Sequence, residues 1–306
     1  MNIIVTGGAG FIGSNLVEKL VNDHHLVTVI DNVHSGSVKN LNDVRHRIQI
    51  CVNSCGDIQS LARTSANIAN AEIIFHLGMP SSSPMYKENP QMVGMAVSDT
   101  IAVFEHAKNT GAKVIFASSS SLYNGLKPPH KENMSIQVTD YYTEARLYVE
   151  RIAELYNKLH GVKSVGLRFF SVYGPHEEAK GRYANLVSQF MWDIVNNRPP
   201  VIYGDGKQTR DFTYVSDIVD ALTMFMDKEF EFDIYNAGTE TSYSFNDMVD
   251  MLNSKLNKSI VPTHIKMPMD NYVADTLADL TRIKKLGYSP KYSLSQGMDK
   301  IIQKQL

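Results

Sequence analysis

Cysteine is scarce. Cys51 and Cys55 are the only two in 306 residues, and their C-x-x-x-C spacing lacks companion histidines, so neither a disulfide framework nor a zinc site is expected. Both read as free thiols. The ten histidines are scattered, with His24-His25 in a polar loop. A net charge of -2 leaves no basic surplus for nucleic acid. No apolar run approaches the ~20 residues of a membrane span, and there are no repeats or low-complexity tracts. The first strand pattern starts at residue 2, so no cleavable leader is expected and the chain reads as cytoplasmic. What remains is an ordinary globular composition, 43% hydrophobic and 20% charged, in a chain long enough for a large core and an appended lobe.

The organising stretch is Gly7-Gly8-Ala9-Gly10-Phe11-Ile12-Gly13. It follows Asn2-Ile3-Ile4-Val5-Thr6, an apolar β-branched run typical of a buried central strand. A helix comes next, with Leu16, Val17, Leu20 and Val21 on one face. A second strand, Leu26 to Ile30, ends in Asp31, about twenty residues beyond the glycines. This is the dinucleotide fingerprint. Gly7 permits the tight turn, Gly10 lets the backbone approach a pyrophosphate, and Gly13 lets helix and strand pack closely. The helix N-terminus offers N–H groups to the phosphates. Asp31 would accept from the adenosine ribose and repel a 2′-phosphate, favouring NAD over NADP. A glycine turn with an acidic cap is the competing structural reading.

Further strands are predicted at 48–52, 72–78, 113–117, 165–170 and 233–236, with helices at 58–69, about 89–107, 141–156 and 245–256. Gly56-Asp57-Ile58 falls where an adenine contact belongs, or is an acidic helix cap. Leu77-Gly78 ends a strand that should face the cofactor, while His76 reads as a satisfied core residue. The helix from about Asn89 is apolar on more than one face, one of which could meet a partner subunit. The strand at 113–117 runs into Ser118-Ser119-Ser120-Ser121-Leu122-Tyr123, hydroxyls suited to a reacting alcohol or carbonyl or simply a small-residue strand exit. Tyr142 and Arg146 share a helical face, and a fixed cation beside a phenol stabilises the phenolate. A surface contact is the alternative. Arg210, beyond the Gly204-Asp205-Gly206 turn, is a candidate phosphate clamp.

The ordered set of Thr6 to Gly13, Asp31-Asn32, Gly56-Asp57-Ile58, the serine run ending in Leu122-Tyr123, Arg168 to Pro175, and Gly204-Asp205-Gly206 through Asp217 resembles the extended short-chain dehydrogenase/reductases, most closely their nucleotide-sugar epimerases. The resemblance implies an α/β fold, a doubly wound parallel (Rossmann) sheet with a smaller C-terminal α/β substrate lobe and the active site in the cleft between them. It divides the chain into an NAD-binding domain, 1–170 plus about 212–238, and a nucleotide-sugar lobe, 171–211 and 239–306. Ser119 and Tyr142 occupy the catalytic positions, and Arg146 stands where the family has lysine. Gly7, Gly10, Phe11, Ile12, Gly13, Asp31, Asn32, Asp57, Ile58, Leu77 and Gly78 would bind NAD together with Tyr142 and Arg146. Ser119, Ser120, Ser171, Asn185, Arg210 and Thr276 would bind substrate, and no metal is implied. Ala96 and Ser171 replace frequent asparagines of the family.

The implied chemistry is oxidation and re-reduction at C4 of a UDP-linked hexose, with Tyr142 taking the hydroxyl proton, Ser119 assisting and hydride passing to the nicotinamide. Related dehydratases and decarboxylases carry carboxylates after the catalytic hydroxyl, where this chain has Ser120 and Ser121, which disfavours both activities. Thr276, aligned near the C2 substituent, is small enough to admit N-acetyl groups; a shifted alignment would put Tyr272 there. UDP-N-acetylglucosamine and UDP-N-acetylgalactosamine are therefore expected substrates beside UDP-glucose and UDP-galactose. A heptose 6-epimerase, suggested by Lys180-Gly181 and Ala278-Asp279-Leu280-Thr281, and a non-catalytic NAD-binding relative are the alternatives. A homodimer through the helices near 90–107 and 142–158 is a family expectation.

Overall fold

The computed structural model describes residues 1–267 and 273–305 and divides into two compact units; Tyr272 lies outside the described residues. The first unit comprises Met1–Ser119, Asp140–Arg168 and Val219–Tyr235. The second comprises Ser120–Thr139, Phe169–Ile218 and Asn236–Leu306.

A seven-stranded parallel sheet is built from β1 (Asn2–Thr6), β2 (Leu26–Ile30), β3 (Gln49–Cys51), β4 (Ile73–His76), β5 (Lys113–Ser119), β6 (Ser164–Phe169) and β7 (Phe232–Ala237). Their spatial order is β7-β6-β5-β4-β1-β2-β3. Ile3, Ile4, Val5 and Thr6 are all buried, because a central parallel strand is covered on both faces. β1 pairs with β2 on one side and β4 on the other. The chain reverses direction across the sheet between them, so the carboxyl ends of β1 and β4 flank a topological switch point.

The helices of this unit are α1 (Phe11–Asn22), α2 (Ile58–Ala62), α3 (Ala66–Ala69), α4 (Ser83–Glu88), α5 (Met92–Thr110) and α6 (Tyr141–His160). The pattern at 58–69 predicts one helix, but the structure has two short ones. The Thr64 N–H bonds Leu61 O in a tight i→i+3 turn and its hydroxyl donates to the same carbonyl, competing with the helical ladder. Gly111 and Gly161, at φ 76° and 70°, cap α5 and α6 in the left-handed conformation that glycine adopts without strain. β5 continues two residues past its predicted end, so Ser118 and Ser119 are strand residues.

In the second unit α7 (Leu186–Val195) packs against Phe245–Leu256, with Phe190 and Phe212 each 6.5 Å from Phe245 by ring centroid. Short pairings join Thr209–Arg210 to Tyr243–Ser244 and Val172–Tyr173 to Thr213–Tyr214. Buried Asp211 accepts from the Thr239 N–H (2.8 Å), the Thr239 hydroxyl (2.7 Å) and the Ala278 N–H (3.1 Å), knitting three segments together. Burial raises its carboxyl to about 6. Segments 120–139 and 212–218, read from sequence as part of the first domain, group with this unit. The Tyr123 hydroxyl donates to Asn236 Oδ1 (2.7 Å), and the His130 N–H bonds Leu277 O (2.8 Å).

Candidate active site

The turn leaving β1 is closed by backbone alone: the Gly7 N–H donates to Ile30 O (2.9 Å) and the Gly10 N–H to Gly7 O (3.0 Å). At φ 69°, Gly7 faces Gly78 so closely that a Cβ would lie 2.8 Å from its backbone. A Cβ on Gly13 would strike Gly7 O, so α1 can approach the turn only with glycine there. Gly10 is the N-cap of α1 and makes no side-chain cap bond, which leaves the first-turn N–H groups of Ile12 and Gly13 available to an anion. Asp31 emerges from β2 with one carboxylate oxygen on the Ala9 N–H (2.9 Å) and the other on the Val33 N–H (2.7 Å). Burial raises its carboxyl above the ordinary carboxylate range. Each oxygen retains accepting capacity for a ribose. Asn32 is exposed and its side chain accepts the His34 N–H (3.1 Å).

Two further turns lie at strand ends of the same sheet. After β3, Asp57 is exposed and Ile58 fully buried. After β4, the Leu77 N–H bonds Thr6 O (3.2 Å) and the Gly78 N–H bonds Thr6 Oγ1 (3.1 Å), which holds this turn against the glycine turn. His76 is satisfied between Thr6 Oγ1 (2.9 Å) and Thr100 Oγ1 (3.1 Å). Burial, with the Arg146 charge adding to it, lowers its pKa to about 3, so it is a neutral core residue, as its sequence context suggests.

Tyr142 and Arg146 lie on the first turns of α6, whose start is fixed by an Asp140–Thr143 capping box. Asp140 also accepts the Ser83 hydroxyl at 2.5 Å, anchoring α4 to α6. Tyr142 is 8% exposed and Arg146 5%, so the pair is not a surface contact. The guanidinium carbon stands 5.1 Å from the Tyr142 ring centroid, placing a cation over the ring. Its fork donates to Ala117 O (3.2 Å) and Pro80 O (3.0 Å). The planar fork grips each carbonyl from a separate nitrogen, where a lysine would present a single ammonium. Fully buried Tyr86 supports Tyr142 edge-on at 5.5 Å.

The contacts made one helical turn further on are not evident from the sequence spacing. Glu150 accepts from Ser118 Oγ (2.5 Å) and from Arg168 Nε (2.9 Å) and a terminal nitrogen (2.7 Å), all of them buried. This ties α6 to the end of β5 at the residue before Ser119, which is itself 7% exposed. The signal was available: an arginine inside the apolar run Val165–Phe170 must find a buried anion.

The remaining candidates belong to the second unit, described by itself. Ser120 is buried in a 3₁₀ turn, and Ser171 sits at φ 30° with its carbonyl accepting the Thr213 N–H (3.3 Å). Asn185 caps α7 by accepting the Val187 N–H (3.0 Å), while its own N–H donates to buried Glu177 (2.9 Å). Lys180 Nζ lies 3.6 Å from the same glutamate. Arg210 stacks on Phe245 at 5.2 Å and donates to the carbonyls of Thr209 (2.8 Å), Ala274 (3.0 Å) and Val273 (2.6 Å). Thr276 is buried, its hydroxyl accepting the Asp211 N–H (3.2 Å).

The first unit fits a dinucleotide. Besides the cradle of Gly7, Gly13 and Gly78, Arg146 Nε and the hydroxyls of Ser81 and Ser82 are buried with no hydrogen-bond partner, at and beside the Pro80 carbonyl that Arg146 grips. Buried orphans of this kind call for a polar partner from outside the chain. Sheet order, glycine cradle and the Tyr142–Arg146 pair thus define a dinucleotide-binding enzyme of the doubly wound class. The model of the NAD dependent epimerase/dehydratase family matches residues 3–238, and the chain belongs to that family.

Among relatives, a putative UDP-glucose 4-epimerase of Methanocaldococcus jannaschii is 30% identical, with 98% of this chain and 97% of that protein aligned. The UDP-glucose 4-epimerase of Thermotoga maritima, solved with UDP-glucose, has a TM-score of 0.92 at 29% identity, covering 99% of this chain and 98% of that one. The UDP-N-acetylglucosamine 4-epimerase of Methanobrevibacter ruminantium, solved with UDP-N-acetylmuramic acid, has a TM-score of 0.90 at 28% identity, covering 99% of each chain. A UDP-N-acetyl-alpha-D-glucosaminuronate decarboxylase of Bacillus cytotoxicus is also similar, 29% identical over 98% of this chain and 96% of that protein. NAD is the cofactor of this family, and its relatives here are nucleotide-sugar epimerases and decarboxylases. Among the described residues no helix is long and apolar enough to cross a membrane.

Proposed function

We propose that the protein inverts C4 of a UDP-hexose through a 4-keto intermediate, acting on UDP-N-acetylglucosamine/UDP-N-acetylgalactosamine and also on UDP-glucose/UDP-galactose. The observation that carries this reading is the buried Tyr142 under the Arg146 cation, on a helix tied by Glu150 to the strand end that bears Ser119. Ser120 and Ser121, rather than carboxylates, follow Ser119, which favours epimerisation over the decarboxylation and dehydration that need an additional acid or base.

Bound NAD supplies a reversible hydride acceptor. The glycine turn, the α1 N-terminus and Asp31 would hold its pyrophosphate and ribose, with Asn32, Asp57, Ile58, Leu77 and Gly78 along the strand ends. Tyr142 takes the proton of the C4 hydroxyl and later returns it, while Arg146 holds positive charge against the ring. Ser119 hydrogen-bonds the reacting oxygen. Asn185 and Arg210 anchor the diphosphate, about which the sugar turns, with Ser120 and Ser171 beside it. Thr276 leaves room for the C2 substituent; the named substrate of the Methanobrevibacter enzyme supports the N-acetylated choice.

The active assembly is a homodimer in the cytoplasm. Tyr141, Tyr148 and Leu155 repeat every seven residues along α6 and, with Leu159, remain exposed, the stripe of a helix that packs on another helix. Incubation with NAD and each UDP-sugar, followed by proton NMR, should show C4 inversion. Loss of the sugar carboxylate from a UDP-uronic acid without C4 inversion in any hexose would replace this reading by a decarboxylase.

A further inference from the structure

We propose that Asp99, in the body of α5, is a positioning residue for the adenine end of NAD. The inference rests on the reading that the turn carrying Asp57 and Ile58 meets adenine.

Ser54-Cys55-Gly56-Asp57 leaves β3 and enters α2. The Ser54 hydroxyl is its node, accepting the Gly56 N–H (3.2 Å) and donating to Asp99 Oδ2 (3.0 Å). The second Asp99 oxygen fills the space beside Gly56, where a Cβ would lie 2.5 Å from Oδ1. A methyl group there would push the carboxylate out of this position. The Asp57 N–H closes the turn on Ser54 O (3.0 Å), and the Cys55 thiol donates to Gly78 O (3.4 Å), joining this turn to the one after β4. Asp57 is thereby left exposed at the tip while Ile58 is buried beneath it.

Asp99 bears a cost for this placement. Its carboxyl is raised by burial, with the nearby Asp57 charge adding to the rise and the hydrogen bond from Ser54 opposing it. A carboxylate half-withdrawn from water and spent on one four-residue turn fixes that turn's geometry. Precise placement of a binding group by a rigid support is what gives it affinity.

Calorimetric titration of the full-length protein with NAD, AMP and nicotinamide mononucleotide tests the assignment in Asp99→Ala, Asp99→Asn, Ser54→Ala and Asp57→Ala. Asp99→Ala and Ser54→Ala should each weaken NAD and AMP about tenfold and leave the mononucleotide unchanged. Asp99→Asn, whose amide oxygen still accepts from Ser54, should recover most of the loss. Wild-type AMP affinity in folded Asp99→Ala, or equal loss for both mononucleotides, would overturn the positioning role. Unchanged AMP affinity in Asp57→Ala would instead overturn the adenine reading of the turn, and the proposal with it.

Discussion

The candidate residues of the two units differ in what they still have to offer. In the first, α1 begins without a side-chain cap, and Arg146 Nε and the Ser81 and Ser82 hydroxyls are buried without partners. In the second, Asn185 caps its own helix, Arg210 grips three carbonyls and the Thr276 hydroxyl holds Asp211. A ligand of the first unit gains bonds that the protein leaves unmade. One at the second must exchange partners, so each contact there returns less free energy. Under the proposed function, the first corresponds to a retained cofactor and the second to an exchangeable substrate.

The contrast can be broken in graded steps. Glu150→Ala, which strands the buried Arg168 charge in the first unit, should cost about 3–5 kcal/mol of stability by denaturant titration. A loss under ~1 kcal/mol would mean that the network adds little. Gly13→Ala should weaken NAD about a hundredfold, because its methyl meets Gly7 O rather than a movable side chain. His76, by contrast, is the saturated residue of the first unit. Its folded pKa of about 3 lies below the ordinary 6.5, so its contribution is fully present above pH 6.5 and is lost as pH falls towards 3. His76→Gln should therefore flatten the stability profile, removing about 2 kcal/mol of the decline between pH 7 and 5. Arg210→Ala should be mildest, raising KM for the UDP-sugar about tenfold with NAD affinity unchanged, since the carbonyls it holds already compete for it. A larger loss would show that the second unit is not limited by exchange.

Much of the first unit is legible in sequence because its signals are local. The strand from Asn2, the glycine spacing and Asp31 lie within thirty-one residues, and their geometry follows from chirality and sterics. The pairing of Tyr142 with Arg146 follows from helical periodicity alone. What escaped needs partners distant in sequence. Glu150 and Ser118 are 32 residues apart, and Asp99 and Ser54 are 45. The split of α2 from α3 escaped for another reason: serine and threonine hydroxyls compete with the helix without disturbing its apolar pattern. The grouping of 120–139 with the second unit depends on hydrogen bonds to residues beyond 230, which no local pattern announces.

The most direct measurement is a comparison of wild type with Tyr142→Phe, each loaded with NAD and mixed with UDP-N-acetylglucosamine, following nicotinamide reduction by absorbance and C4 inversion by NMR. The phenol as general base predicts that the variant still binds NAD but loses turnover by about 10²–10⁴-fold, with no transient reduction. Wild-type turnover in Tyr142→Phe would contradict it.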